Sequence, residues 1–285
     1  MTTSEEYWVC RDRRLQLGSK TRVMGILNVT PDSFSDGGCY ADASQAVERA
    51  LQMLKEGADI IDIGGESTRP GASPVSAAEE IKRTLPVIEA LVAESCALIS
   101  IDTMKHETAR CALEAGAHII NDVSAGTRDP RMADLATEYG AGLVLMHMRG
   151  EPRTMQENPI YEDVVQDVCN YLAERRDHFL AAGVAESQVV LDPGIGFGKT
   201  IEHNLELLRK TSDLAALGHP VLIGASRKSL LGNLLDLELG ERQAASLGIA
   251  AYCAMRSVDI LRVHDVKDTC HVTAIIDILR RHDRA

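Results

Sequence analysis

The amino-acid sequence predicts an α/β fold, a (β/α)8 TIM barrel with an N-terminal β-hairpin, and three observations carry that expectation. Eight short apolar runs recur along the 285 residues. Each run stops at a polar residue suited to chemistry, and the stretches between runs carry helical period and punctuation. Runs rich in Val, Ile and Leu that do not alternate with polar residues suit parallel strands buried on both faces. One polar residue at each carboxyl end is the arrangement of a barrel whose site sits on that rim.

Residues 1–21 stand outside the repeat. Tyr7-Trp8-Val9 and Leu15-Gln16-Leu17 flank an Arg/Asp turn, which reads as a hairpin packed on the barrel floor. Residues 22–285 then form a single barrel domain, because such barrels run to about 250 residues as one unit and no Ser/Gly/Pro-rich linker interrupts them. The expected strands are 23–27 before Asn28, 60–63 before Gly64-Gly65-Glu66, 97–101 before Asp102, and 117–120 before Asn121-Asp122. The remaining four are 142–146 before His147, 189–191 before Asp192, 221–223 before Gly224-Ala225-Ser226, and 259–263 before His264-Asp265.

Between them, Ala43, Val47, Ala50, Leu51 and Leu54 form one apolar helical stripe; Asp42 or Ser44 can cap its start and Gly57 suits its stop. Ser76 and Glu79 have capping-box spacing, and Asp129-Pro130 pairs an N-cap acceptor with a proline at the first helical position. Gly116, Gly140 and Gly183 each follow a helix-like stretch and precede a strand.

A formal charge of −12 argues against generic binding to nucleic acid or anionic membrane, since both rely on basic surface. No run approaches the roughly 18 apolar residues of a membrane span, and the acidic N-terminus lacks the regions of a signal peptide. A cytoplasmic enzyme is the simplest reading. Seven cysteines without CxxC spacing fit reduced thiols rather than a disulfide framework or structural zinc.

Three segments concentrate unusual chemistry. Residues 27–38 leave the first strand as a long polar loop, whose Asn, Asp and Ser oxygens suit a hard cation and whose single Phe34 suits a lid closing over a ligand. Residues 64–71 and 192–200 follow strands two and six. Gly198-Lys199-Thr200 invites a nucleotide-loop reading, but the Walker pattern needs glycine where Pro193 stands, and the dinucleotide pattern fails as well. The alternating glycines suit a backbone that turns tightly and lets a flat ligand approach closely.

Cations converge on the same rim: Arg69, Arg227-Lys228, Arg262 and His264. Loops after the last two barrel strands commonly hold phosphate, and Arg262 and His264, two apart on a strand, share one face. An ion pair of Arg262 with Asp259 or Asp265 is the structural alternative. Asp102, Asp192 and Asp122, with Asn121 beside them, lack metal-site spacing. A carboxylate can instead accept two parallel N–H bonds from an aminopyrimidinone edge, with Lys228 meeting a ring carbonyl. Capping of the following helices is the alternative for Asp102 or Asp192 alone. His147 receives no role.

At these residues the chain resembles the dihydropteroate synthase family of pterin-binding enzymes. One signature is Met24-Gly25-Ile26-Leu27-Asn28-Val29-Thr30-Pro31-Asp32-Ser33-Phe34-Ser35-Asp36-Gly37-Gly38, and a second is Asp62-Ile63-Gly64-Gly65-Glu66-Ser67-Thr68-Arg69-Pro70-Gly71. Asp192-Pro193-Gly194, Ser226-Arg227-Lys228-Ser229 and Arg262-Val263-His264-Asp265 add further matches, over roughly residues 22–280. The resemblance implies condensation of dihydropterin-6-ylmethyl diphosphate with 4-aminobenzoate in folate biosynthesis. It also implies a pterin pocket at Asp102, Asn121, Met146, Asp192, Gly224 and Lys228, and a diphosphate site at Asn28, Arg69, Arg262 and His264, with Mg2+ at Asn28. Aminobenzoate would meet Thr68, Pro70, Phe197, Lys228 and Ser229. Where the family often carries a second aromatic before Phe197, this chain has Ile195.

The implied chemistry is departure of diphosphate followed by attack of the aniline nitrogen, with Arg69, Lys228, Arg262 and His264 as the catalytic residues. Asp32 or Asp36 would face the cationic intermediate beneath a closing lid. A pterin-dependent methyltransferase would have no use for Arg262 and His264, and a non-catalytic pterin- or phosphate-binding protein would not need the first loop. A homodimer through late helices is implied too, using Ala244, Leu247, Ala250, Ala251, Ala254 and Met255. The same stripe could instead face the barrel.

Overall fold

The computed structural model describes residues 6–30, 38–67, 72–150 and 154–282. Each expected apolar run is a strand. Tyr7–Cys10 (β1) and Arg13–Gln16 (β2) form an antiparallel hairpin, turned at Arg11, whose φ is 59°. Eight parallel strands follow: Arg22–Asn28 (β3), Ile60–Gly64 (β4), Leu98–Asp102 (β5), Ile119–Asp122 (β6), Gly142–Met146 (β7), Val189–Asp192 (β8), Leu222–Ile223 (β9) and Ile260–Val263 (β10). Their order is β8-β7-β6-β5-β4-β3-β10-β9. A bridge between Leu191 and Val221, with Leu191 N–H donating to Pro220 O at 2.9 Å, joins the two end strands and closes the ring. Among the described residues, closure gives each barrel strand a neighbour on both sides.

The crossover helices are α1 (Gly38–Glu56), α2 (Ala77–Glu94), α3 (His106–Glu114), α4 (Met132–Tyr139), α5 (Val164–Ala181), α6 (Ile201–Arg209), α7 (Thr211–Ala215), α8 (Ser229–Leu235), α9 (Gln243–Met255) and α10 (Val266–His282). Ser76 caps α2 by accepting the Glu79 N–H at 3.2 Å. The Glu79 carboxylate turns instead to Arg83 Nε, at 3.0 Å. Two starts differ from expectation. Helix α1 begins at Gly38, ahead of both Asp42 and Ser44, and α4 begins at Met132, after one turn at Asp129-Pro130 in which Asp129 O accepts the Met132 N–H.

Alternation along the strands splits the core in two. Ile61, Ile63, Ile99, Ile101, Ile120, Leu143, Leu145 and Leu191 face outward onto the helices, in a cluster with Val87, Leu91, Leu113 and Leu172. Met24, Ile60, Leu98, Ile119, Val144, Val190, Leu222 and Ile260, one from each barrel strand, face inward at the floor. Trp8, Cys10 and Leu17 complete that inner layer from the hairpin, and Trp8 Nε1 donates to Gln188 O at 2.7 Å. Burying a tryptophan with its N–H satisfied plugs the lower end of the barrel.

Candidate active site

Two residues above this apolar floor, the same inward face turns polar. Cα registers Asp62 with Ser100, Gly64 with Asp102, Asp102 with Asn121, Met146 with Asp192, and Arg262 with Met24 keep one parity around the ring. Residues two apart share a face, so these side chains project into the mouth of the barrel.

There the residues form one network. Arg262 Nε donates to Asp62 Oδ2 at 2.6 Å, and Arg262 Nη2 to Asp102 Oδ2 at 2.6 Å. Asn121 Nδ2 donates to the same Asp62 oxygen at 3.0 Å. Arg262 thus pairs with pocket acids and with neither Asp259 nor Asp265. Among the described residues, Asp62 Oδ1 and Ser100 Oγ are buried without a hydrogen-bond partner, and buried polar atoms left this way point to a ligand or water that completes them.

The electrostatics follow from crowding three carboxylates into a buried space. Burial pushes Asp102 up, Arg262 pulls it back, and Asp62, Glu80 and Asp122 leave it at about 7. Burial also raises Asp192, against Lys228 and the Gly194 N–H that its Oδ1 accepts at 2.7 Å. Lys228 falls to about 8, chiefly by burial and against the pull of Asp192. Burial opposes the charge on Arg262, yet Asp62 and Asp102 hold it above its ordinary range.

The second half of the site is apolar. Met146, Val123, Met155 and Phe197 form a separate buried cluster at the carboxyl ends of β6, β7 and β8. Lys228 Nζ stands 4.3 Å from the Phe197 ring centroid and donates to Ile195 O. Ile195 itself is fully buried in the strand–helix layer, so the departure from a second aromatic falls behind the loop rather than on its open face. Ser229 is exposed at the start of α8. Gly224 abuts Arg262, whose Cβ lies 3.7 Å from where a Cβ on the glycine would stand.

Asn28 and His264 complete the rim. A Cβ on Gly64 would lie 3.7 Å from both Asn28 Oδ1 and Asp102 Oδ2. His264 Nδ1 lies 3.0 Å from Ser226 Oγ. Thr68, Arg69 and Pro70 lie outside the described residues, as do Asp32, Phe34 and Asp36 of the expected lid.

Two expected contributors stand elsewhere. Asp122 faces away from the mouth and accepts the Ser124 N–H, the Ser124 hydroxyl and the Gly126 N–H at 2.7–2.8 Å, which makes it the cap of its own turn. Arg227 is paired with Asp265, its Nε 3.0 Å from Oδ2. The glycines of the loop after β8 also answer to a different cause. A Cβ on Gly194 or Gly198, at φ 68° and 64°, would collide with the carbonyl oxygen of His147 or Arg149. The close approach is therefore made by neighbouring backbone.

Asp62 and Ser100 were not singled out from the sequence, although each leaves a trace there. Both interrupt an otherwise apolar strand, as Ile60-Ile61-Asp62-Ile63 and Leu98-Ile99-Ser100-Ile101. A charge inside a strand buried on both faces needs a partner in the barrel.

A closed barrel with an apolar floor and an acid-lined, cation-bearing mouth defines the class: an enzyme scaffold shaped for a flat heterocycle rich in N–H donors. A family model described as pterin binding enzyme matches residues 24–264, and the chain belongs to that family. Within it, the chain is 47% identical over 259 residues to the dihydropteroate synthase of Streptococcus pyogenes, covering 90% of this chain and 95% of that one. Among solved structures, the Yersinia pestis dihydropteroate synthase with a sulfonamide drug superposes with a TM-score of 0.91 at 43% identity, over 96% of this chain and 99% of that one. The Xanthomonas albilineans enzyme with 4-aminobenzoic acid does so with a TM-score of 0.91 at 43% identity, over 97% and 99%.

Proposed function

We propose that this chain is a dihydropteroate synthase, condensing (7,8-dihydropterin-6-yl)methyl diphosphate with 4-aminobenzoate to 7,8-dihydropteroate and diphosphate. The observation that carries this reading is the union, at one barrel mouth, of buried acids, the Asn121 amide, and the cations Lys228 and Arg262. Asp102, Asn121 and Asp192 hold the ring by its N–H edge, Lys228 meets the ring carbonyl, and Met146 and Gly224 line the pocket. Arg262 and His264, with Arg69, face the diphosphate.

The carbon–oxygen bond to diphosphate breaks and a carbon–nitrogen bond to the aniline nitrogen forms, with loss of one proton from that nitrogen. The protein contributes fixed charge: cations stabilise the departing diphosphate and carboxylates stabilise an electron-poor ring system. Phe197, Lys228 and Ser229, with Thr68 and Pro70, surround aminobenzoate.

The donor set fits magnesium. Asn28 offers one neutral oxygen on the rim, and among the described residues no cluster of three or more His, Cys, Asp or Glu could hold a metal alone. Mg2+ keeps waters and takes one or two protein oxygens together with substrate phosphates. Bound at Asn28, it would supply Lewis-acid stabilisation of the leaving diphosphate.

Two coarser features follow. Tyr252 and Met255 on α9, and Ile275, Ile278 and Leu279 on the adjacent α10, are exposed, and they suit a homodimer face; sedimentation should return twice the chain mass. The thiols of Cys10, Cys96, Cys111, Cys169, Cys253 and Cys270 are free, as suits the cytoplasm.

The deciding experiment measures diphosphate release from the pterin substrate with and without aminobenzoate, alongside calorimetry. Aminobenzoate should bind only after diphosphate and magnesium are added, and a sulfonamide should compete with it. Binding of a methylated pterin without diphosphate, and no diphosphate release, would instead identify a methyl-transferring relative.

A further inference from the structure

The loop after β8 carries a buried lysine that the reaction does not consume, and burial lowers its amine well below the ordinary range. Lys199 is 3% exposed. Its Nζ lies 2.9 Å from His147 Nδ1, and donates to Gly194 O at 3.0 Å and Phe197 O at 2.9 Å. The His147 carbonyl, at 3.4 Å, is a fourth partner. Burying an ammonium among neutral acceptors is costly, so a methionine of similar length would fill the space more cheaply. What the lysine adds is direction.

The carbonyls of residues 194–198 are all engaged. Lys199 takes Gly194 O and Phe197 O, Lys228 takes Ile195 O, Gln156 Nε2 takes Gly196 O at 2.5 Å, and the Tyr161 hydroxyl takes Gly198 O at 2.7 Å. Asn204 Oδ1 accepts the Gly196 N–H at 2.7 Å. His147 is itself fixed, since its N–H donates to Asp192 O at 2.9 Å and its ring meets Tyr171 edge-on at 4.9 Å. Burial, with Lys199 and Arg149 adding to it, drives the imidazole down to about 2, so the ring is neutral, and in its Nε2–H tautomer Nδ1 accepts from Lys199.

We propose that Lys199 and His147 are positioning residues for the second substrate: their contact ties the glycine loop to the tip of β7 and sets where the Phe197 ring stands beside Lys228. This rests on the reading of Phe197 as a wall of the aminobenzoate site. Phe197 O is bonded to Lys199 while its ring lies 4.3 Å from Lys228 Nζ, so a shift of that carbonyl moves the ring. Part of the pterin pocket stands on other anchors. Arg262 bonds Asp102 and, with Asn121, Asp62, all from β4, β5, β6 and β10, whereas Asp192 and Lys228 touch the loop through Gly194 N–H and Ile195 O.

Steady-state kinetics on the folded full chain would test the proposal with four variants. Lys199→Met should raise the KM for aminobenzoate about tenfold, the upper end of what one intramolecular hydrogen bond contributes. At saturating aminobenzoate, kcat should recover to within severalfold, and pterin diphosphate affinity by calorimetry should fall severalfold less than the aminobenzoate KM rises. His147→Leu should raise the same KM, and His147→Asn, whose side-chain oxygen can replace Nδ1 as acceptor, should restore most of it.

A parental aminobenzoate KM in Lys199→Met, or an equal loss for both substrates, would overturn the proposal. If Lys199→Met does not fold, the histidine pair decides alone, and equal KM values for Leu and Asn would reject it. Phe197→Ala separates this inference from the reading beneath it. A parental KM there removes the aminobenzoate wall itself, whereas a raised KM there beside a parental Lys199→Met removes only the positioning role.

Discussion

Arg262 holds Asp62 and Asp102 together, so side chains assigned to opposite ends of the guest are in direct contact. The guanidinium keeps neighbouring acids compatible with one another, and in the proposed function the same charge would face the leaving group. Arg262→Ala should therefore lower kcat on the order of a hundredfold, the typical loss of one preorganised electrostatic partner. Diphosphate release from purified, folded variant checks this, and parental turnover would sink the assignment.

Asp102 carries a second prediction at the residue scale. Its carboxyl is raised from the ordinary range to about 7, first by burial. Between about pH 4 and pH 7 the folded chain thus retains a proton that the unfolded chain has released. The stability supported by that proton is complete below the unfolded value and is lost as pH rises through about 7. Asp102→Asn should flatten the fall in Tm across this window. Asp259, raised to about 6 mainly by burial, leaves a residual slope. An unchanged slope in Asp102→Asn would show that the carboxyl titrates in its ordinary range.

At the scale of single elements, periodicity was the most legible feature. Each apolar run became a strand, and Gly57, Gly116, Gly140 and Gly183 close α1, α3, α4 and α5. Helix starts were read less well, because capping depends on where preceding backbone turns, and several acceptors nearby are chemically equivalent. The glycine loop after β8 shows the same limit. Its tightness was legible in the alternation of residues 194, 196 and 198, but its cause was not, since His147 and Arg149 lie nearly 50 residues away in sequence.

That cause is testable. Gly194→Ala meets both a positive φ and the His147 carbonyl, and should cost more than about 2 kcal/mol with a raised aminobenzoate KM. Gly218→Ala has a φ of 79° and nothing within 4 Å, and should cost only about 1 kcal/mol with kinetics unchanged. Denaturant midpoints and kinetics on both variants provide the comparison. Equal losses would mean that backbone strain alone dominates.

For the whole molecule, the barrel separates stability from function by height. The floor layer of eight inward apolar residues and the hairpin's Trp8 bears packing, and the rim two residues above bears charge. Trp8→Ala should cost about 3–5 kcal/mol, typical of a large buried aromatic, while leaving both KM values near parental. Thermal unfolding beside the same kinetics tests this separation, and a strong kinetic defect would show that the floor controls the rim. The late-helix stripe divides in the same spirit. Ala250 and Ala254 face inward and are buried, whereas Ala244 and Met255 are exposed and Leu247 and Ala251 are half-buried.

From the chain of residues alone came the barrel, the hairpin, the strand tips and the residue types at the mouth, because strand period, turn chemistry and polar termini are local properties written at fixed spacing. Only folding decided which of those tips touch. Asp62 reaches Arg262 across 200 positions and Lys199 reaches His147 across 52, and such pairings arise from ring closure and loop packing. Asp122 and Arg227, equally well placed by spacing, are taken by Ser124 and Asp265 instead. A polar side chain at a strand end binds whichever partner the closed barrel brings within reach, and distance along the chain carries no record of that.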